Sequence, residues 1–340
     1  MRVLDRAGVE LVSLFDPEEF FSAGGDGTVA ASSRGQGLAE TLIADYSLPE
    51  RAWLPSAAIV ALLGEFGVAE GAGRTTISRM ARRGVLERRV QGRNSSYRLT
   101  EDAATGLWIG GGLIAAYTTQ PDSWDGWWTL VSFSVPEEES TRRRALRTTL
   151  RGWGYAPLYD AVWVSPCPLT AEARRDLTGV APGSMSVFRA RQVELDTAVD
   201  RQPIQAWDLP GIAGQYEEFI RRWSSLLPHI AAGSVVGAAA VRARTELMDT
   251  YRYFFPTLDP LLPAELLPPD WPRARAREVC IAVYDGLAQQ AQEYVRSVVA
   301  CFDDGPHDGV RAHTIAAMSV GSGALLTGIG NVHTSGLRHA

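Results

Sequence analysis

Apolar residues set out a helix near the start of the chain's most regular stretch. Ile59, Leu62, Leu63 and Phe66 recur at the spacing of one buried helical face, with Ser56 placed to cap it and Gly67 to stop it. A second helix is predicted from about Ala72 to Arg83. Gly73, Ile77, Met80 and Ala81 fall on one side of it, and Thr75, Ser78, Arg79 and Arg82 on the other. After Gly84 the run ERRVQGRNSSYRLT alternates as two strands around Gly92, Arg93 and Asn94. Its alternation predicts that Val90, Tyr97 and Leu99 face the helices while Arg89, Arg93, Ser96 and Arg98 face outward. The RAWL segment before Pro55 suits a third strand. A preceding helix is predicted from about Leu38 to Tyr46, with Leu38, Leu42 and Tyr46 on one side, and Pro49 ends it. Helix, helix and hairpin in this order outline a winged helix-turn-helix over residues 36–101.

Beyond it the periodicity changes. Residues 102–123 suit a linker helix, and a new domain, 124–200, opens in a tryptophan-rich segment. It has a strand from Trp127 to Val135, a helix opened by Pro136 and Glu137–Glu139, two strands in GYAPLY and AVWVS, a helix near Thr170–Leu177, and a last strand, SMSVFRAR. The order βαββαβ predicts a ferredoxin-like sandwich, so the fold class is α+β. Residues 201–302 then read as a helical domain. Tyr216, Phe219, Ile220 and Trp223 lie on one helix, and Leu247, Met248, Tyr251, Phe254 and Phe255 on the next. A proline-fixed loop and one long helix from Arg273 to Cys301 complete it. Residues 1–35 read as a mobile extension, and 303–340, rich in Gly, Ser and His, as a disordered tail.

Charge sharpens the N-terminal reading. The chain of 340 residues carries a net charge of −6, yet residues 51–100 hold nine Arg against three Glu. A basic module on an acidic protein is the footprint of a nucleic-acid reader, because neutralising phosphates supplies most non-specific affinity. Arginine pairs bidentately with guanine, and Ser, Thr and Arg all hold phosphates. The candidate DNA-binding residues are therefore Arg74, Thr75, Ser78, Arg79, Arg82, Arg83, Arg89, Arg93 and Ser96. All 33 basic residues are Arg, a bias that fits G+C-rich coding. No apolar run approaches the roughly 18 residues that span a bilayer, and LVSLF near the start is too short for a signal, so a cytoplasmic location without membrane contact is expected. Cys167, Cys280 and Cys301 are odd in number and far apart, which suggests inert core thiols.

Four motifs in order resemble the PaaX family, repressors of phenylacetic acid degradation. They are RTTISRMARRGVL in the second helix, WDGWW at 124–128, GYAPLYDAVWVSP at 154–166, and RTELMDTYRYFFPTLDPLLPAELLPPDWP at 244–272. The resemblance spans about Gly37 to Cys301. It implies a homodimeric transcriptional repressor of aromatic acid catabolism, bound to double-stranded operator DNA and released by an aryl-CoA thioester such as phenylacetyl-CoA. No bound cofactor is implied. A CoA thioester needs cations for its phosphates and an apolar slot for its acyl end. Arg242, Arg244 and Arg252 with Tyr251 and Tyr253 offer both from one helix, and each of these arginines is equally suited to pair with Glu246, Asp249 or Asp259. Trp127, in the cluster with Trp124 and Trp128, suits either a core or a ligand wall.

Enzymatic readings fare worse, and no catalysis is expected. GAGRT at 71–75 lacks the lysine and spacing of a phosphate loop. Four of the five histidines, His307, His313, His333 and His339, sit in the expected tail at spacings unlike a zinc site, and read as solvated. A metal-dependent nuclease on the central fold would want an acidic residue at the end of the first strand, where Ser134 and Val135 stand. A third class, a winged-helix adaptor that contacts protein only, would show no salt-dependent DNA binding.

Overall fold

The computed structural model describes residues 31–116, 123–180, 184–193, 201–254 and 258–318. The chain divides into two compact units. One comprises residues 1–116, 218–252 and 275–328, the other 117–217, 253–274 and 329–340.

The first unit begins with helix α1 (Ala31–Ser47), which buries Ala39, Leu42, Ile43 and Tyr46. It starts inside the segment expected to be mobile, and residues 1–30 lie outside the described part. It ends two residues before Pro49, since the residue preceding a proline is kept out of the helical region. Strand β1 (Leu54–Pro55), helices α2 (Ser56–Gly64) and α3 (Glu70–Arg82), and strands β2 (Leu86–Gln91) and β3 (Asn94–Leu99) follow in the expected order. The strands form an antiparallel sheet, β1-β3-β2, so the RAWL segment does supply a third strand, with Leu54 opposite Tyr97. Ser56 does not cap α2; Pro55 occupies the cap position without a side-chain bond, and its fixed φ presets the helix entry instead. Helix α3 begins at Glu70, two residues earlier than expected, with its acid in the positive first turn.

Helix α4 (Glu101–Ala116) buries Ala104 and Ala115 within this unit rather than bridging as a linker, and residues 117–122 lie outside the described part. The remainder of the unit is helical. It includes the end of α7 (Leu209–Ser224), α8 (Leu227–Ala231), most of α9 (Gly237–Tyr253), most of α10 (Arg273–Gly286) and α11 (Ala288–Ala300). The long closing helix is thus two, broken at Leu287. Ile230 Cγ2 lies 3.0 Å from where a Cβ on Gly286 would stand, so glycine there admits close packing against α8. Nor is the beginning of the tail disordered. Arg311 N–H donates to Tyr46 O at 2.9 Å and His313 N–H to Asp45 O at 2.8 Å, while Val310, Ile315 and Met318 are buried. Those apolar residues anchor a segment whose composition otherwise argues for solvent.

The second unit contains β4 (Trp128–Ser134), α5 (Ser140–Gly152), β5 (Ala156–Tyr159), β6 (Val162–Ser165), α6 (Ala171–Val180) and β7 (Ser184–Ala190). Sheet order β5-β6-β4-β7, all antiparallel, is that of the predicted split βαβ sandwich. Alternation along β4 sends Val131 and Phe133 towards α5 and α6, where Leu146, Leu150, Trp163 and Leu177 complete the core. Each fully buried leucine contributes about 1.5 to 3 kcal/mol. Trp128 packs on the other face, with Trp124 at 5.1 Å and Trp207 at 6.2 Å between ring centroids. In the proline loop, Asp259 is buried and accepts from Arg273 Nε and Nη2, each at 2.7 Å, and from Tyr216 Oη at 2.8 Å. Residues 255–257, Phe255 among them, lie outside the described part.

Candidate nucleic-acid interface

Helix α3 presents the expected two faces. Gly73, Ile77 and Met80 are buried, and the Cβ position of Gly73 lies 3.6 Å from Val60, close enough that a small residue sets the α2–α3 approach. Arg74, Thr75, Ser78, Arg79, Arg82 and Arg83 are exposed, whereas Ala81, placed by periodicity on the buried side, is half-exposed. Arg74 pairs with Glu70 one turn back, an exposed pair worth little. Thr75 donates to Gly71 O at 2.9 Å, which fixes its hydroxyl along the helix. Arg79 and Arg82 lie in the last turn, where the helix dipole favours cations. Burial holds the Glu40 carboxyl of α1 above its usual range, and the charges of Arg252 and Arg83 offset part of that rise.

The hairpin differs from its alternation pattern. Val90 is 57% exposed, not packed on the helices, although it shares a face with Leu86 and Tyr97. The hairpin simply outruns the helical layer, so its outer half has solvent on both faces. Its two-residue turn is Gly92–Arg93, closed by the pair Gln91 and Asn94; Gly92 takes φ +59, which a side chain would strain. Arg93 is therefore fully presented at the tip. Ser96 lies on the central strand, opposite both Arg89 and Pro55.

Arg89 and Arg98 are less free than their outward register suggests. Their guanidinium groups lie 4.7 and 4.5 Å from the Trp53 ring centroid, and Glu87 accepts from Arg98 at 2.7 Å and from Arg51 at 2.6 Å. Trp53 is a platform that the sequence pattern missed. Its signal was an aromatic residue beside a basic strand, legible only once the β1–β3 register is known.

The helix α9 candidates separate. Arg244 is fully buried, donating to the Tyr284 and His313 carbonyl oxygens, the latter at 2.7 Å, with its guanidinium 3.8 Å from the Tyr284 ring centroid. It is therefore a structural residue and is unavailable to a ligand's phosphates. Tyr251 is buried against Phe219, 5.6 Å between centroids, so its ring too is core. Arg252 is half-exposed and pairs with Asp249 at 2.6 Å. Arg242 is half-buried, and its charge helps offset the burial that raises the Glu246 carboxyl. Trp127 belongs to the other unit. It is 38% exposed, with the Arg191 guanidinium 4.8 Å from its ring centroid.

Tyr284 Oη donates to Asp45 Oδ1 at 2.6 Å, and His313, expected in solvent, is 3% exposed with Trp108 edge-on at 4.8 Å. Of the three thiols only Cys280 is buried, and burial raises it. Cys301, expected in the core, is exposed. In the second unit a cleft of about 500 Å³ opens between α6 and β7, walled by Leu177, Met185, Val187 and Phe188, with Arg174 and Arg189 at its rim. Among the described residues no His, Cys, Asp and Glu group could hold a metal, and no helix is long and apolar enough to cross a membrane.

Three family models together match most of the described chain. Residues 34–103 match the family model of PaaX-like protein, 121–201 that of the PaaX protein central Cas2-like domain, and 207–297 that of the PaaX-like protein C-terminal domain. Transcriptional repressor PaaX of Escherichia coli (strain K12) is 30% identical over 256 residues, which is 72% of this chain and 76% of the relative. Uncharacterized protein Rv0674 from Mycobacterium tuberculosis, a solved structure, is 22% identical with a TM-score of 0.49, over 76% of this chain and 98% of that one.

Proposed function

The chain belongs to the PaaX family, and on that premise we propose that it is a DNA-binding transcriptional repressor controlling aromatic acid catabolism, with residues 36–101 acting as a winged helix-turn-helix. The observation that carries the reading is the exposed face of α3. There Arg79 and Arg82 stand clear of the buried Ile77 and Met80, beside the hydroxyl of Ser78. In this reading α3 enters the major groove, and Arg79 and Arg82 reach base edges or the phosphates beside them. Arg93, at the hairpin tip, engages phosphate or minor groove. Arg89 and Arg98 lie against Trp53, so their charge is delivered beside the β1–β3 edge of the hairpin.

An aryl-CoA thioester releases the repressor, and the repressor acts as a homodimer on a two-fold operator. With Arg244 and Tyr251 committed to the core, Arg242 and Arg252 are the α9 candidates for the CoA phosphates, and Trp127 and the α6–β7 cleft are a separate candidate within the other unit. Release requires that the ligand prefer the arrangement that cannot hold DNA, because equal affinity for both would shift nothing. The test is a gel shift on the protein's own upstream DNA, with phenylacetyl-CoA, phenylacetate and CoA added separately. Retarded DNA that stays intact in Mg²⁺ and is freed by the thioester alone supports the reading. Cleaved DNA would favour a nuclease, and no salt-dependent shift a protein adaptor.

A further inference from the structure

Helix α5 of the central domain has the sequence STRRRALRTTLRG, five arginines with no acidic residue. Leu146 and Leu150 are fully buried, which fixes the rotation of the helix. At 100° per residue the outward ridge is then Thr141, Arg144, Thr148 and Arg151, with Arg147 on its flank, the mixture of hydroxyls and guanidinium groups that α3 also displays. Arg144 and Arg151 are exposed and Arg147 is half-buried.

Some of the charges around this ridge are already engaged with one another. Arg142 pairs with Glu139, and Arg143 turns back to donate to Val135 O at 2.8 Å. On the neighbouring α6, Glu172 is taken up by Arg175, while Asp176, which accepts from Trp153 Nε1 at 3.1 Å, keeps its negative charge. Arg147 donates to Asp160 O at 3.3 Å, and Arg151 lies 5.3 Å from the Trp163 ring centroid; both contacts use neutral groups and leave the positive charge intact. Glu138, exposed before the helix begins, and Asp160, exposed and contacted through its carbonyl by Arg147, are further acids in this part of the chain, as is Glu137 in sequence.

We propose that α5 is a second DNA-contacting element, which holds duplex phosphates beyond those engaged by α3 and the hairpin. This rests on the repressor reading above. Arg144 to Arg151 span about 10 Å at roughly 1.5 Å per residue, and duplex DNA carries one phosphate charge per about 1.7 Å of axis, so all three cations meet a backbone at once. Guanidinium groups grip phosphate in a forked geometry, and Thr141 and Thr148 supply hydroxyl donors between them. The ridge lacks the aromatic or aliphatic anchor that forms the core of a protein interface, which favours a polyanion over an acidic protein partner. A helix that reads no bases gives affinity and placement but no sequence preference.

The experiment compares full-length wild type, Arg144→Gln/Arg147→Gln and Thr148→Glu. Binding is measured by anisotropy on upstream duplexes of increasing flank length between 50 and 200 mM salt, with Arg79→Ala alongside. Thermal melting verifies that each variant is folded. The expected result is a salt slope lower by about two for the double variant on long duplexes, unchanged base preference, and weaker binding of long duplexes by Thr148→Glu. Slopes equal to wild type at every flank length would overturn the proposal and leave α5 to a protein partner. Wild-type protein that binds no duplex in a salt-dependent way would fail the repressor reading itself, whereas binding lost on Arg79→Ala and unchanged on α5 would fail the α5 proposal alone.

Discussion

The guanidinium of Arg244 donates to the carbonyl oxygen of His313 across 2.7 Å, joining the middle of α9 to a segment 69 residues further along. The same guanidinium serves Tyr284 O on α10 and lies 5.8 Å from the Tyr46 ring centroid of α1. One buried cation thus ties three helices and the C-terminal segment. Removing it strands two carbonyl oxygens, each costing about 1 to 3 kcal/mol when left unpaired. Arg244→Ala should destabilise the unit by about 3 to 5 kcal/mol in urea unfolding; a loss under about 1 kcal/mol would show that the fold does not depend on it.

Two groups beside Arg244 titrate in opposition. Burial pushes the Asp45 carboxyl from 3.8 up to about 6, so between those values the folded state holds a proton that the unfolded state has lost, and stability falls as pH rises. Burial, with Arg244 nearby, lowers the His313 imidazole from 6.5 to about 4, so over that range the unfolded state binds the extra proton and stability rises with pH. Each effect is on the order of 3 kcal/mol at full extent. Between pH 4 and 6 they nearly cancel. Relative to wild type, Asp45→Asn should gain stability as pH rises through this window, and His313→Asn should lose it; parallel curves for all three proteins would refute the opposition.

On the DNA side, Arg79→Ala should cost on the order of 1 to 3 kcal/mol in operator binding and relax base preference where the contact is to a base edge. Arg82→Ala should behave in the same manner. Competition binding against single-base operator variants reads this out, and unchanged affinity in both folded mutants would remove α3 from the groove.

Arg93→Ala should weaken every sequence alike and lower the salt slope by about one. An effect confined to one base position would make the hairpin a reader of sequence rather than a clamp.

Asp259 fixes the proline loop through Arg273 and Tyr216. Asp259→Ala takes from the buried Arg273 both of its 2.7 Å carboxylate contacts and from Tyr216 its acceptor, and should cost about 3 to 5 kcal/mol. Unfolding monitored by tryptophan fluorescence measures it directly, since Trp271 is 6.3 Å from the Tyr216 ring centroid; a shift below about 1 kcal/mol would mean the loop holds by its prolines alone.

Local periodicity made most of the architecture legible. Ile77 and Met80 on α3, and Val131 and Phe133 on β4, are buried as spacing alone demands. Val90 was misread because alternation reports which face a residue shares, not whether that face still has a helix beneath it. Arg244 looked like a ligand contact for a deeper reason. Nothing in VRARTEL shows that its neighbours will be carbonyl oxygens from Tyr284 and His313, 40 and 69 residues away. The tail was misread for the same cause, since three apolar residues, Val310, Ile315 and Met318, outweigh a composition typical of solvated chain.

The partners of Asp45 also carry a consequence for synthesis. Tyr284 is 239 residues downstream of it, and His313 later still. While the chain emerges from the ribosome, α1 to β3 are complete long before the groups that close over α1 exist. A half-made protein therefore presents its basic face with the underside of α1 unsealed. The contacts that close over α1 are completed by the last described stretch to be translated, and a headpiece cut after residue 100 would lack them.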